Sequence, residues 1–322
     1  MSDTNPTGTG MPRWRRGRRG EKAMVPEPTF TSYYGKPILN APVWKAPDIA
    51  GYLFLGGLAG ASSVVAAGAD ATGRPRLARA SKVGAFAAIG LGALGLIHDL
   101  GRPERFVNML RTFKPTSPMS VGSWLLAGYG PASAVAAASA VSGRVPRIGA
   151  GATAAAAATG PFVAAYTAAL ISDTSVPAWH EGYREMPFLF TASAASAAGG
   201  LGMLAAPLDE SAPARYVGVL GATAEIAAAK LMEQRLGDAA EPYRSGEGGR
   251  LMKAAERITA ASVGLALAAG GRRRSAAALS GAGLMLGSAL TRFGIFKAGF
   301  DSANDPRYTV VPQRARLNAA QS

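Results

Sequence analysis

The stretch IAGYLFLGGLAGASSVVAAGA, Ile49 to Ala69, contains no Asp, Glu, Lys or Arg. A helix of roughly 20 such residues is long enough to cross the hydrocarbon core of a bilayer. Three more uncharged stretches of similar length follow, Met119–Gly143, Ile148–Ser172 and Met186–Leu208. So many long apolar stretches disfavour the alternative, an Ala-rich soluble helical protein. The chain is therefore predicted to cross a membrane at least four times.

Four further stretches are shorter or contain charged residues. They are Ser81–Leu100, Ala214–Met232, Arg257–Gly271 and Ser275–Thr291. Their even spacing and short connections predict an all-α polytopic membrane protein with about eight transmembrane helices. The polar, Pro- and Gly-rich start of the chain predicts a disordered basic tail over 1–46. We assign 47–296 to the membrane domain and 297–322 to a C-terminal tail.

Small residues and prolines predict how these helices pack. Gly56 and Gly60 have the small-xxx-small spacing that lets membrane helices approach closely, and so do Gly283 and Gly287. Pro131 and Pro161 lie near the middle of the third and fourth spans, where a proline removes a backbone donor and kinks a helix. We expect a tightly packed bundle in which the kinks either open a cavity or serve the packing alone.

Composition excludes several kinds of site. The chain contains no cysteine, so it can form neither an iron–sulfur cluster nor a thiolate metal site. Its only two histidines, His98 and His180, both lie at or beyond predicted helix ends, which makes a haem between transmembrane helices unexpected. The net charge of +14 is scattered over tails and loops, as it is beside anionic lipid, and does not form the single patch of a nucleic-acid-binding protein.

The segment His98-Asp99-Leu100-Gly101-Arg102 ends the second predicted span directly after the apolar residues Leu94–Ile97. Ionisable groups at such a depth are costly and indicate a functional site by default. The predicted topology brings further polar residues to the same membrane face. These are Lys45 and Asp48 before the first span, Tyr166 near the end of the fourth, and Trp179 and His180 in the loop after it.

A carboxylate, an imidazole and a phenol at one depth can hydrogen-bond the two carbonyl oxygens of a quinone and deliver its protons. Asp99, His98 and Tyr166 are the candidates for this chemistry, with Lys45, Asp48 and Arg102 beside them. Simpler interpretations remain open for several of these residues. Arg102, Glu104 and Arg105 can form a structural cluster or cap the second helix. Trp179 and Tyr183 can be membrane-interface anchors, and His180 can be an exposed loop histidine.

Glu225 is the deepest acid of the sixth predicted span, which makes it a candidate for a proton path. Lys230 and Glu233, three residues apart, are expected to form an ion pair. Glu256 and Arg257, at the start of the seventh predicted span, are the expected neutralising partners near Glu225. A membrane transporter or ion channel with a midplane path near Glu225 is the alternative function.

The run Pro47-Asp48-Ile49-Ala50-Gly51-Tyr52 through Gly60, the segment His98–Phe106, and Tyr166-Thr167 with Pro177-Ala178-Trp179 resemble the NrfD/polysulfide reductase membrane-subunit family. The resemblance extends over roughly residues 29 to 300, and it is specific in the first two motifs and weaker after the fifth span. It implies eight helices in two four-helix bundles, with no haem.

The resemblance also implies a function. Family members bind quinone or quinol and exchange electrons with an iron–sulfur subunit, which pairs with a molybdopterin catalytic subunit in formate dehydrogenase- or polysulfide reductase-like complexes. By position, Asp99 matches the acid that ends the second helix, and Tyr166 matches the tyrosine of the fourth. Some members place a histidine before the first helix, where this chain has Lys45 and Asp48 instead. The implied location is a multi-pass protein of the bacterial inner membrane.

Overall fold

The structure, a computed structural model, describes residues 37–40 and 42–321, and these residues form helices and no strands. The first half contains α1 (Ala46–Ala71), α2 (Pro75–Leu100), α3 (Pro103–Met109), α4 (Pro118–Ser142), α5 (Pro146–Ser172) and α6 (Pro177–Glu181). The second half contains α7 (Met186–Ala205), α8 (Ala212–Leu236), α9 (Glu241–Arg244), α10 (Gly246–Ala268), α11 (Arg274–Asn304) and α12 (Arg307–Gln321). A short 3-10 helix, Gly237–Ala240, joins α8 to α9.

Prolines and glycines set many of the helix ends. A proline stands in the first turn of α1, α2, α4 and α5, where its missing N–H would have no partner in any case. Gly101 and Gly143 end α2 and α4 with φ near +69° and +68°, a conformation that a glycine adopts without steric cost. These local signals keep the connections short, so neighbouring helices run antiparallel.

Six helices of the described residues are long and apolar enough to cross a membrane: α1, α2, α4, α5, α7 and α11. They include all four uncharged stretches and two of the four weaker ones. The helices α8 and α10 have 25 and 23 residues but are not among these six, because their sequences are less apolar. The chain is thus an all-helical, multi-pass membrane protein.

In each half of the chain the helices pack on one another, and α1 packs on α7 between the halves. In the first half, α1 packs on α2 and α5, and α4 packs on α5 and α2. In the second half, α7 packs on α8 and α11, and α10 packs on α11. The small residues allow these close approaches. A Cβ at Gly60 would overlap the Gly160 carbonyl of α5, and one at Gly287 would overlap the Thr259 hydroxyl of α10.

Several boundaries differ from the sequence prediction. Asp48 lies inside the first turn of α1 and not before the helix. The boundary at 296 falls inside α11, which continues to Asn304, and residues 307–321 form α12. Most of the predicted basic tail, residues 1–36 and 41, lies outside the described residues. Pro131 and Pro161 lie within the continuous helices α4 and α5, and the kinks stay a prediction.

Candidate functional site

A cleft opens between α1, α2, α4 and α5 at the membrane face where α2 ends. It encloses about 520 Å³, part of it open to the exterior. Its walls are apolar, with Ile49, Leu96, Met119 and Leu126 among them. The polar groups of its lining come from Trp44, Tyr52, Asp99, Ser123 and Tyr166. An apolar pocket with a few converging polar groups is the usual form of a small-molecule site.

Asp99 is held at the rim of this cleft by the start of α1. The backbone N–H of Lys45, the residue before the helix, donates to Asp99 Oδ1 at 3.1 Å. The end of α2 is fixed as well, because Arg105 Nη1 donates to the Leu100 carbonyl at 3.1 Å. Arg105 therefore caps the second helix, as one of the simpler interpretations expected. Oδ2 of Asp99 has no hydrogen bond to any other part of the chain that the structure describes.

Tyr166 reaches the cleft from α5 because α4 leaves room for its ring. A Cβ added at Gly122 of α4 would overlap the Tyr166 ring. Ser123, the next residue, lines the cleft, but its hydroxyl donates to the Met119 carbonyl at 2.9 Å. Asp99 and Tyr166, predicted from positions 67 apart in the sequence, thus line one cavity.

Tyr52 is a cleft residue that the sequence analysis did not select. Its side chain is 1% exposed, and its hydroxyl has no hydrogen-bond partner in the described residues. It lies on α1, one turn below Asp48, with its ring against Gly92 of α2. The sequence feature that could have indicated Tyr52 is a phenol inside an otherwise apolar first span. It lies within one of the motifs on which the family resemblance rests.

The other predicted residues lie outside the cleft. His98 Nδ1 is 2.8 Å from Asp48 Oδ2, and the His98 side chain is largely exposed, so these two form a pair beside the cleft. Arg102 is exposed at the start of α3. His180 is exposed, and its Nδ1 lies 3.2 Å from the Ser172 carbonyl.

Trp179 is neither a cleft residue nor an interface anchor, contrary to both sequence interpretations. It is fully buried, and its indole N–H donates to the Ile295 carbonyl of α11 at 2.8 Å. Gly299 makes this possible, since a Cβ there would overlap the indole. The Trp179 ring stacks on Trp44 with the ring centroids 5.7 Å apart. Trp179 therefore supports a wall of the cleft from behind.

A second polar cluster lies in the other half of the molecule, around Glu225 of α8. Glu225 is 4% exposed, and neither carboxylate oxygen meets hydrogen-bond geometry with another described residue. The hydroxyls of Ser193 and Thr291 and the guanidinium of Arg292 are its polar neighbours. The cation near Glu225 is therefore Arg292 and not the predicted Arg257, and the predicted Glu256 pairs with Lys230 instead.

Arg292 is fully buried inside α11. Its Nη2 donates to the Phe190 carbonyl at 2.6 Å, and its guanidinium carbon lies 3.8 Å from the centroid of the Phe190 ring. Its Nη1 has no partner among the described residues. The sequence analysis missed Arg292 because the predicted eighth span ended at Thr291, one residue before it.

A polar cleft leads to Glu225 from the face that also carries Asp99. Its volume is about 550 Å³, part of it open to the exterior, and it lies between α8, α10 and α11. Two ion pairs stand on its rim: Lys230 with Glu256 at 2.7 Å, and Arg244 with Glu233 at 3.2 Å. The predicted pair of Lys230 with Glu233 is therefore wrong, because both residues have partners on other helices. No group of three or more His, Asp or Glu able to hold a metal ion occurs in the described residues.

Comparison with known protein families identifies the family to which the chain belongs. A family model described as polysulphide reductase NrfD matches residues 38–211, more than half of the 322-residue chain. The chain belongs to this family. The matched region contains α1 to α7, and with them every residue of the cleft around Asp99. A comparison with curated proteins gives no match.

Proposed function

We propose that this chain is the quinone-reactive membrane subunit of a respiratory oxidoreductase complex, formate dehydrogenase-like or polysulfide reductase-like. Its family membership supports an association with oxidoreductase subunits. In this proposal, an iron–sulfur subunit and a molybdopterin catalytic subunit complete the complex in the bacterial inner membrane. The partner's cluster exchanges electrons with a quinone or quinol that this chain binds.

The main support for the proposal is the Tyr52 hydroxyl. It is buried without a partner in the cleft that Asp99 and Tyr166 also line. Such a hydroxyl costs about 1–3 kcal/mol, which a hydrogen bond to a ligand oxygen would remove. Quinones have an apolar ring with two carbonyl oxygens that accept hydrogen bonds. Two phenols, one carboxylate and apolar walls suit that chemistry.

Each cleft residue has a distinct part in this proposal. Tyr52 and Tyr166 donate hydrogen bonds to the ring oxygens, and the apolar walls hold the ring. As a quinol passes two electrons to the partner's cluster, it releases one proton to water at the open side of the cleft and the other to Asp99, and both protons return when electrons flow the other way. The Lys45 N–H holds Oδ1, so Oδ2 is the oxygen left for this proton. When bound, the quinone supplies the two-electron redox chemistry.

Quinol oxidation by membranes that carry the assembled complex tests the assignment of Asp99. Asp99→Asn should lower turnover roughly 100-fold or more, because it removes a proton acceptor. Glu104→Gln, which changes an exposed acid on α3, is the matched control and should leave turnover unchanged. Full activity of Asp99→Asn would remove Asp99 from the site.

A second pair of variants tests the cleft without removing a polar group. Gly122→Ala places a methyl group where the Tyr166 ring lies, whereas Gly128→Ala, on the same helix, has nothing within 4 Å. We expect Gly122→Ala to raise the KM for quinol and Gly128→Ala to leave it unchanged. Equal KM values with a folded Gly122→Ala variant would contradict a site beside Tyr166.

We infer that α8 and α10 also cross the membrane, which gives eight spans in two four-helix bundles. Their charges lie mainly toward the Asp99 face, in the C-terminal part of α8 and the N-terminal part of α10. Several of these charges face each other across the polar cleft, as Lys230 and Glu256 do. Charged residues are tolerated in a span when they face the bundle interior or water.

A proton path through Glu225 is the second proposed activity. The buried Glu225 carboxylate at the inner end of a polar cleft, which makes no hydrogen bond with another described residue, supports it. Glu225→Gln should reduce proton movement across the membrane per quinol oxidised, while turnover in uncoupled membranes is retained. Asp209→Asn, an exposed acid on the opposite face, is the control. Unchanged proton movement in Glu225→Gln would reject the path.

A transporter or ion channel is the alternative that the same polar cleft favours. Purification of the chain with its neighbours distinguishes the two functions. The proposed function requires an iron–sulfur subunit to copurify. A chain that purifies alone, and in which Asp99→Asn has no effect on quinol oxidation, would support transport instead.

A further inference from the structure

A basic groove lies on the membrane face opposite the Asp99 cleft, between the ends of α1, α2, α4 and α5. Its empty volume is about 1020 Å³. Arg76, Arg79 and Lys82 of α2 and Asp70 of α1 line one wall, and small residues of α4 and α5 line the other. We propose that this groove binds the headgroup of an anionic phospholipid.

Two of the three basic residues of the groove have no ion-pair partner in the described part of the chain. Lys82 Nζ lies 2.6 Å from Asp70 Oδ2, so these two charges cancel. Arg76 and Arg79 are exposed, and neither forms an ion pair within the described part of the chain. Glu210 approaches the same helix but accepts from the backbone N–H groups of Arg76 and Leu77, at 2.7 and 3.0 Å, and so caps α2. Two guanidinium groups are left for a phosphate.

The opposite wall provides space without competing polar groups. Ser139 of α4 lines the groove, but its hydroxyl donates to the Arg144 carbonyl at 3.0 Å. The other small residues on this wall are Ala140, Gly143, Gly149 and Ala150. A headgroup can therefore enter against alanine and glycine while its phosphate meets Arg76 and Arg79.

Apolar residues below the groove favour a lipid over a free phosphate ion. All four helices that frame it are candidate membrane spans, so the groove lies at the membrane surface. One turn deeper than Lys82, Phe86 is 46% exposed, and one turn deeper than Ser139, Val135 is 40% exposed. These side chains continue the two walls toward the bilayer centre, where acyl chains would contact them. Basic pockets between membrane helices bind acidic headgroups in this way.

The test uses the full chain purified in detergent, with phosphatidylglycerol, phosphatidylcholine and inorganic phosphate as probes. Bound lipid is counted by native mass spectrometry, and the thermal unfolding midpoint is followed for each addition. Phosphatidylglycerol should bind and raise the midpoint, and the other two probes should not. Arg76→Gln/Arg79→Gln should weaken phosphatidylglycerol binding roughly 30-fold, since each basic residue near an acidic lipid contributes about fivefold.

Two further variants keep the proposal falsifiable. Arg272→Gln/Arg273→Gln removes the same charge from the loop between α10 and α11 and should retain lipid binding. Ala150→Trp fills the groove without changing its charge and should abolish binding even if the arginine variant fails to fold. Equal losses in both arginine variants would mean general attraction to surface charge. That result, an equal effect of inorganic phosphate, or full binding by Ala150→Trp would overturn the proposal.

Discussion

At the scale of single residues, the environment of each polar group decides what it can do. Asp99 and Tyr52 line the same cleft, yet the acid has a backbone donor and the phenol has none. The sequence indicated Asp99 because a charge contrasts with the apolar residues before it. It did not indicate Tyr52, because a tyrosine in a span is common and its unpaired hydroxyl is visible only after packing.

Tyr52 and Tyr129 provide a matched pair of phenols for a stability test. Tyr52→Phe removes a hydroxyl without a partner and should raise the unfolding midpoint of the quinone-free protein. Tyr129→Phe removes a 2.7 Å hydrogen bond to Ser63 and should lower the free energy of unfolding by about 0.5–1.5 kcal/mol. Thermal unfolding in detergent measures both.

The same variants separate stability from binding. Tyr52→Phe should also raise the KM for quinol about tenfold, the effect of losing about 1.4 kcal/mol of binding free energy. Tyr129, outside the cleft lining, should not change the KM. If Tyr52→Phe destabilises the protein as much as Tyr129→Phe does, the Tyr52 hydroxyl already has a partner and is not free for a ligand.

At the scale of helices, close approach depends on which glycines face a neighbour. Gly60 and Gly68 both lie on α1, but only Gly60 meets another helix, at the Gly160 carbonyl of α5. Gly60→Ala should destabilise the protein by about 1–3 kcal/mol through overpacking. Gly68→Ala, with nothing within 4 Å, should stabilise it by up to about 1 kcal/mol through helix propensity. Equal unfolding midpoints of the two variants would contradict the packing of α1 on α5.

A two-bond ion pair ties the end of α8 to the residue that precedes α7. Arg235 donates through Nε to Glu185 Oε1 at 2.6 Å and through Nη2 to Oε2 at 2.7 Å. These hydrogen bonds lower the pKa of Glu185. A lowered pKa in the folded state means that the pair stabilises the protein above the unfolded pKa of Glu, about 4.3, and that this stability is lost as pH falls through the folded pKa.

Acid unfolding of Glu185→Gln tests this connection. The variant should be less stable than the native chain at pH 7, by roughly 1 kcal/mol, and the difference should shrink as the pH falls below about 4. Stability is measured by denaturation in detergent at each pH. A difference that stays constant between pH 7 and pH 3 would show that the carboxylate's ionisation is not involved.

At the scale of the whole molecule, the number of membrane crossings depends on α8 and α10. Because the chain has no cysteine, single cysteines can report which side of the membrane a loop occupies. Thr112→Cys and Asp209→Cys mark the two faces, in the loops before α4 and before α8. With eight spans, Asp238→Cys should react with an impermeant reagent from the Thr112 side of sealed vesicles. Reaction from the Asp209 side would mean that α8 does not cross.

The parts of the fold that could be predicted are those whose signal lies within a single segment of the sequence. Uncharged runs identified α1, α4, α5 and α7, since solvation by lipid depends on the composition of one segment alone. Helix ends were less accurate, and α11 extends 13 residues beyond the predicted Thr291. The extension matters because Arg292, the buried cation beside Glu225, lies within it.

The sequence was sufficient to identify an all-helical membrane protein of the NrfD family and to select Asp99 and Tyr166 as candidate site residues. The neighbours of the buried polar groups became visible only once the helices were packed: Lys45 beside Asp99, Arg292 near Glu225, and no hydrogen-bond partner in the described chain for the Tyr52 hydroxyl. These neighbours could not be predicted because they are far apart along the chain. Burial of a polar group depends on contacts between helices that are distant in the sequence. Arg292, for example, donates a hydrogen bond to the Leu53 carbonyl, 239 positions away.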